Sequence, residues 1–247
     1  MDKLLYVAMT GAKENMNAIS VRANNLANAN TVGFKADLEQ ARAMQAFGDG
    51  LPTRVFSMTE MPSQNFDSGE LKITQNELDV AINGDGWLTI EDKDGNEAYT
   101  RAGNLKINEL GILQTASGQN VLGEGGPIEL PVPLRKVEIA EDGTVYVVPR
   151  GAPANALAEV GRIKLVNPDQ QDMFKGNDGL FRRKDKQNAE LDPAVKLISG
   201  AVEGSNVNAV AEMTYMINLQ RQYELQVKMM KTAEDMDRQQ NQLLRII

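Results

Sequence analysis

The side chains equipped for chemistry here are mainly carboxylates. The chain of 247 residues carries 34 Asp and Glu against 26 Lys and Arg, with no His and no Cys. Without His it lacks the commonest general acid–base and the usual zinc ligand; without Cys it lacks disulfides, thiolate catalysis and Cys metal sites. Asp92-Lys-Asp-Gly-Asn-Glu97 has the outline of a calcium loop. It lacks the further oxygen ligands and the closing Glu at fixed offset that the EF-hand requires, and a Lys separates its acids, so a β-turn is the better reading. Gly84 and Gly86 are followed by neither P-loop Lys-Ser/Thr nor Rossmann spacing. Nothing marks any two of the acids as a glycosidase pair. The basic run Arg182-Arg183-Lys184 with Lys186 sits among acidic neighbours and reads as a solvated hairpin. No catalytic, metal or cofactor site is expected.

The amides are a different matter. Asn24, Asn25, Asn28 and Asn30 crowd the stretch Ala23–Lys35, and Asn206 and Asn208 stand near the other end. One helix stop needs one Asn or Gly. A side-chain amide donates and accepts together, so the excess can cross-link neighbouring helices in a packed array. The plainer reading is a helix end and a turn.

These amides sit beside two long periodic segments. Leu5, Met9, Ala12, Met16, Ile19, Ala23 and Leu26 recur at alternating steps of four and three. Ala209, Met213, Met216, Gln220, Tyr223, Val227 and Met230 repeat the pattern, with Gln220 the one polar member. Spacing near 3.5 residues makes a narrow apolar stripe that another helix must cover. Helices are expected over 3–29 and from about 206 to 244, with the second seam shifting beyond Met230 to Ala233, Met236, Leu243 and Ile247. A short amphipathic piece is expected over 36–47, before the breaker Gly48-Asp49-Gly50-Leu51-Pro52.

The middle has period two. Strands are expected at Leu78–Asn83, Trp87–Glu91, Ala98–Arg101, Leu105–Asn108, Ile112–Thr115, Val137–Ala140, Thr144–Val148, Arg162–Val166 and Val195–Ser199. Turn signals such as Asp94-Gly95 and Asp142-Gly143 separate them, the pattern of an antiparallel all-β domain. The expected fold is therefore α+β: long terminal helices forming a coiled-coil-like stalk, and a central β domain. In residue terms, 1–47 and 205–247 make the helical domain, 48–77 an extended connection and 78–204 the β domain. Residues 48–204 hold 16 basic and 25 acidic groups, which disfavours nucleic-acid binding. No run approaches the roughly 20 apolar residues of a membrane span, and the opening Met1-Asp2-Lys3-Leu4-Leu5 is not expected to act as a secretory signal peptide.

Three segments carry a resemblance. Ala23-Asn-Asn-Leu-Ala-Asn-Ala-Asn-Thr-Val-Gly-Phe-Lys35 closely resembles the N-terminal signature of bacterial flagellar rod and hook proteins. Leu78-Asp-Val-Ala-Ile-Asn-Gly-Asp-Gly-Trp-Leu88 with Tyr99-Thr-Arg-Ala-Gly-Asn104 resembles a central signature of that family. Val202-Glu-Gly-Ser-Asn-Val-Asn-Ala-Val-Ala-Glu-Met213, with Met216-Ile217, Arg221 and Tyr223-Glu224, resembles its C-terminal one. The length, Leu51-Pro-Thr-Arg54 and Gly204-Ser-Asn-Val-Asn-Ala209 look most like the proximal-rod members; many relatives have Ala where Gly204 stands.

The resemblance implies a non-enzymatic subunit without cofactor, located in the rod of the flagellar basal body where it crosses the periplasm. Its partners would be further copies of itself and neighbouring proximal- and distal-rod proteins, with the flagellar type III export apparatus during secretion. Terminal helices would pair in an inner tube, with the β domain outside. The residues expected at subunit interfaces are the apolar members of the first seam, the apolar seam residues Met213, Met216, Tyr223, Val227 and Met230, and Asn24, Asn25, Asn28, Asn206 and Asn208. Two alternatives stand: another axial paralogue of the distal rod or hook, and a secreted carbohydrate-active module oligomerised by its ends.

Overall fold

The computed structural model describes residues 3–45, 55–151, 153 and 157–244. The breaker at 48–52 and the Leu51–Arg54 segment fall outside them. The chain forms two compact units, one of residues 1–29, 36–65 and 207–247, the other of 30–35 and 66–206.

The first unit is built on α1 (Lys3–Ala27) and α2 (Ala209–Leu244). Neither contains Pro, and α2 has a built start: Asn208 Oδ1 accepts the N–H groups of Val210 and Ala211, both at 3.1 Å, two donors a helix N-terminus otherwise leaves open. The helices run antiparallel side by side, since Arg22 meets Glu212 while Asn15, nearer the start of α1, meets Gln226. At about 1.5 Å per residue α1 is roughly 37 Å long and α2 roughly 54 Å, so about the last three turns of α2 run past the start of α1. Of the side chains described there, from Thr232 to Gln239, all but Ala233 are exposed. The amphipathic piece expected at 36–47 is a strand, β1 (Asp37–Gln45), paired antiparallel with β2 (Val55–Gln64). This ribbon belongs to the helical unit, whereas sequence reading placed 48–77 in an extended connection.

The second unit is all β. Its strands in chain order are β3 (Leu71–Ile73), β4 (Val80–Asn83), β5 (Trp87–Glu91), β6 (Glu97–Thr100), β7 (Leu105–Ile107), β8 (Leu113–Thr115), β9 (Leu122–Gly123) and β10 (Gly126–Pro127). There follow β11 (Leu134–Ile139), β12 (Thr144–Pro149), β13 (Ala158–Arg162), β14 (Leu165–Val166), β15 (Met173–Lys175), β16 (Phe181–Arg183), β17 (Lys196–Ser199) and β18 (Ala201–Glu203). A five-stranded sheet has the order β14-β5-β6-β16-β15, a three-stranded one β11-β12-β13, and the rest are two-stranded. Every strand pair is antiparallel. Residues of these strands such as Val80, Ile90, Leu113 and Val145, with Val121 and Ile163 beside them, bury a continuous aliphatic core. A smaller cluster packs Phe66, Trp87 and Phe181, with the Trp87 and Phe181 rings 4.5 Å apart.

Besides the distant pairs β14–β5 and β16–β6, two strand pairs join the end of the unit to its start. β17 pairs with β4, and β18 with β3. The residues that close the β unit therefore come from its last dozen positions.

Candidate assembly surface and the closure of the β unit

The fold brings one charged residue from each of the three motifs quoted above, Lys35, Arg101 and Glu203, to one point. Glu203 is 1% exposed, Lys35 1% and Arg101 4%. Glu203 Oε1 accepts from Lys35 Nζ at 2.7 Å and from the Gly69 N–H at 2.8 Å, while Oε2 accepts from Arg101 Nη1 at 2.9 Å. Lys35 Nζ also donates to the Asp67 carbonyl, and Arg101 Nη2 to the Gly84 carbonyl. The guanidinium carbon lies 5.3 Å from the Trp87 ring centroid. Burial lowers the Lys35 ammonium below its usual range against the opposing pull of Glu203. Burial pushes the Glu203 carboxyl up, but Lys35, Arg101 and the Gly69 N–H together outweigh it and hold it below the usual carboxylate range.

The backbone closes around the same point. Gly33 N–H donates to the Glu203 carbonyl and Gly204 N–H to the Glu70 carbonyl, each at 2.8 Å. Gly33 has φ +68°, and a Cβ there would overlap the Arg101–Ala102 peptide. Asn206 Nδ2 donates to the Asp67 carbonyl. Of the residues here only Asn206 was singled out from sequence, and as a subunit-interface residue; Lys35, Arg101 and Glu203 were not. The motifs together hold several charges, and nothing local says which of charges so far apart meet.

The seam residues sit in the helical unit. Ala12 is buried, as is Ala8, which lies off the expected seam, while Met9 is 52% and Met16 58% exposed. Leu5, Ile19, Ala23 and Leu26 are half-buried. On α2, Met213 is 51% exposed; Met216, Tyr223, Val227 and Met230 are half-buried. The chain's own helix packing thus uses one flank of each seam, and polar contacts set its register. Arg22 bridges Glu212 at 3.0 Å and lies over the Tyr215 ring, and Asn15 Nδ2 donates to Gln226 Oε1 at 3.2 Å. Gly11 leaves room for that Gln226 amide, which a Cβ would approach to 2.6 Å.

Most of the amides have partners within the chain. Asn25, fully buried, donates from Nδ2 to the Asp37 carbonyl and accepts the Asp37 N–H on Oδ1. Asn28 Nδ2 returns to the Asn24 carbonyl, and Asn208 caps α2. The side chain of Asn24 is exposed. Asp92, the head of the calcium-like outline, accepts the N–H groups of Asp94 and Asn96 on Oδ1 and binds Arg182 through Oδ2, as a turn residue does. Arg182 of the basic run also pairs with Asp178 in the turn of the β15–β16 hairpin.

Three family models match. Residues 5–35 match the flagella basal body rod protein model, 81–147 the flagellar hook protein FlgE/F/G D1 domain, and 198–243 the flagellar basal body rod FlgEFG protein C-terminal domain. The chain is 41% identical over 250 residues to the flagellar basal-body rod protein FlgF of Escherichia coli K12, with 99% of each chain covered. It is 40% identical to FlgF of Salmonella typhimurium LT2, again over 99% of each, and 35% identical to FlgF of Caulobacter vibrioides over 96% of each. The chain belongs to the flagellar basal-body rod proteins. Within that family it is FlgF-like, although the rod protein FlgG of Agrobacterium fabrum is also 32% identical over 95% of this chain and 96% of its own. In this rod protein Lys35 and Glu203 lie within the first and third matched regions, and Arg101 within the second.

Proposed function

We propose that this protein is a structural subunit of the proximal part of the bacterial flagellar rod. It is not an enzyme. It polymerises through its terminal helices, and the resulting shaft transmits torque. The observation that carries this reading is the unfinished helix pair. Tyr6, Met9 and Met16 on α1 and Val210, Met213 and Ile217 on α2 are each half or more exposed, and the end of α2 runs on beyond α1. Exposed apolar surface of this extent on helices marks a protein–protein interface. Neighbouring subunits cover it, by heterologous contacts that propagate a helical lattice instead of closing a ring. The apolar seam residues other than the buried Ala12, with Asn24, face those neighbours, and the β unit adds lateral contacts that stiffen the shaft. The subunit reaches the rod through the flagellar type III export apparatus. Among the described residues no helix is long and apolar enough to cross a membrane. Family membership sets aside the carbohydrate-active module.

The test is complementation of a strain lacking the protein. A chain carrying Ile19→Asp should be absent from purified basal bodies and leave cells non-motile, while the Trp87 fluorescence of the purified chain stays native. Normal motility with this variant in the rod would defeat the reading.

A further inference from the structure

We infer that Glu203 is a late-closing latch: the β unit becomes locked only when the C-terminal end of its chain arrives, because that end carries the buried carboxylate that bridges Lys35 and Arg101.

Three observations carry it. First, Glu203 is buried with two cations, Lys35 and Arg101, all at 4% exposure or less, while the further carboxylate that acts on Lys35, Asp67, is exposed. Removing one partner from a buried ion cluster leaves uncompensated charge in a medium of low dielectric, far costlier than losing a surface bridge. A chain in which Glu203 has not docked therefore keeps that pocket open to water. Second, the contacts are distant in sequence. Glu203 is separated from Lys35 by 168 residues and from Arg101 by 102, so neither pair forms during local strand pairing. Third, the backbone that arrives with Glu203 finishes two sheets. β18 is the strand paired with β3, β17 pairs with β4, and the Glu203 carbonyl takes the Gly33 N–H. Until positions 196–204 dock, β3 and β4 lack these partners, and the strap at 30–35 lacks its bonds to Glu203 while keeping those to Asp67 and Lys175.

The hairpins β5–β6, β7–β8 and β11–β12 need none of this. They close over short turns and supply the early, local contacts on which folding rate depends. The latch then converts a nearly complete but openable sandwich of hairpins into a locked one. For a subunit that travels as an unfolded chain, this delays commitment until the whole chain is present. That consequence rests on the rod reading; the folding order does not.

Folding kinetics of the full-length chain test it. Trp87 is the single tryptophan and lies beside Arg101, so its fluorescence reports the β unit. Refolding and unfolding rates are measured across denaturant for the wild type, Glu203→Gln and Glu203→Asp. The aspartate keeps the charge with a shorter reach, and it decides the matter if the glutamine variant does not fold. A contact made after the transition state leaves refolding unchanged and speeds unfolding. Refolding within about twofold of wild type is expected, with unfolding faster by roughly tenfold for Glu203→Asp and a hundredfold for Glu203→Gln. Refolding slowed in proportion to the lost stability, or no change in either rate, would overturn the latch. Either outcome leaves the rod assignment standing, because that is read separately from incorporation into basal bodies.

Discussion

The side-chain amide of Asn25 pairs with both backbone groups of Asp37, donating to its carbonyl and accepting from its N–H, each at 2.9 Å. A side chain near the end of α1 thus takes the place of a neighbouring strand and satisfies the first residue of β1. The pairing explains why a fully buried Asn sits on an otherwise Ala- and Met-rich helix, since a buried amide is tolerated only when its groups are matched.

Replacing it should therefore be costly. Asn25→Ala leaves both Asp37 backbone groups without their partner and should destabilise the helical unit by about 2–3 kcal/mol. Asn25→Asp keeps an acceptor and loses the donor, and should be intermediate at neutral pH. Denaturant unfolding followed by circular dichroism at 222 nm reads both. Equal, near-zero effects would show that the clamp contributes nothing.

The helix pair should tell its two flanks apart. Met16→Asp replaces an exposed side chain, so the monomer's stability should change by no more than about 0.5 kcal/mol. Ala12→Asp places a charge at a buried position and should cost about 3 kcal/mol or more. Both should abolish incorporation into basal bodies, the first through the lattice and the second through the subunit. A Met16→Asp chain that assembles normally would remove Met16 from the interface.

Arg22 and Glu212 set the register of α1 against α2, with side chains 21% and 9% exposed. A double-mutant cycle with Arg22→Met and Glu212→Gln should return a coupling of about 1 kcal/mol, at the upper end for partly exposed pairs. A coupling of zero would leave the register to Gly11, Asn15 and Gln226.

Stability should fall at both ends of the pH scale, for different reasons. Glu203, Asp92, Asp142 and Asp178 all have carboxyls held below their usual range; for Glu203 and Asp92 burial opposes this and is outweighed by their cationic and N–H partners, while hydrogen bonds from Thr144 and Arg182 lead at Asp142 and Asp178. A lowered carboxyl contributes stability that is present above its unfolded value near pH 4 and lost as pH falls through the folded one. Tyr99 is raised, chiefly by burial, so its contribution is present below pH of about 10 and lost above it. Lys35, lowered by burial, has the opposite sign in the alkaline range, where its charged form ceases to oppose folding. Trp87 fluorescence across pH should show an acid transition that Glu203→Gln makes shallower. An acid limb unchanged by that substitution would exclude Glu203 as a contributor.

Much of this architecture is legible in local pattern. α1 and α2 follow from long 3.5-residue periodicity without Pro, and α2 is helical through Leu244, the last described residue. β5 is the strand Trp87–Glu91 as read from alternation, and the Asp-Gly turns fall where the glycines take positive φ, at Gly95 and Gly143. These features depend on neighbours in sequence, so sequence alone determines them. The β1–β2 ribbon escaped because Asp37–Gln45 mixes polar and apolar residues without clean alternation, and its assignment rests on the partner strand. Which flank of α1 turns inward was also open: Ala8 and Met9 are adjacent rows on one helix, and only packing against the rest of the unit buried Ala8 and left Met9 exposed. The meeting of Lys35, Arg101 and Glu203 lay furthest from reach. A charge in each of three motifs carries no information about distance until the chain is closed, and only the tertiary structure, by placing one carboxylate between two buried cations, makes them a single element.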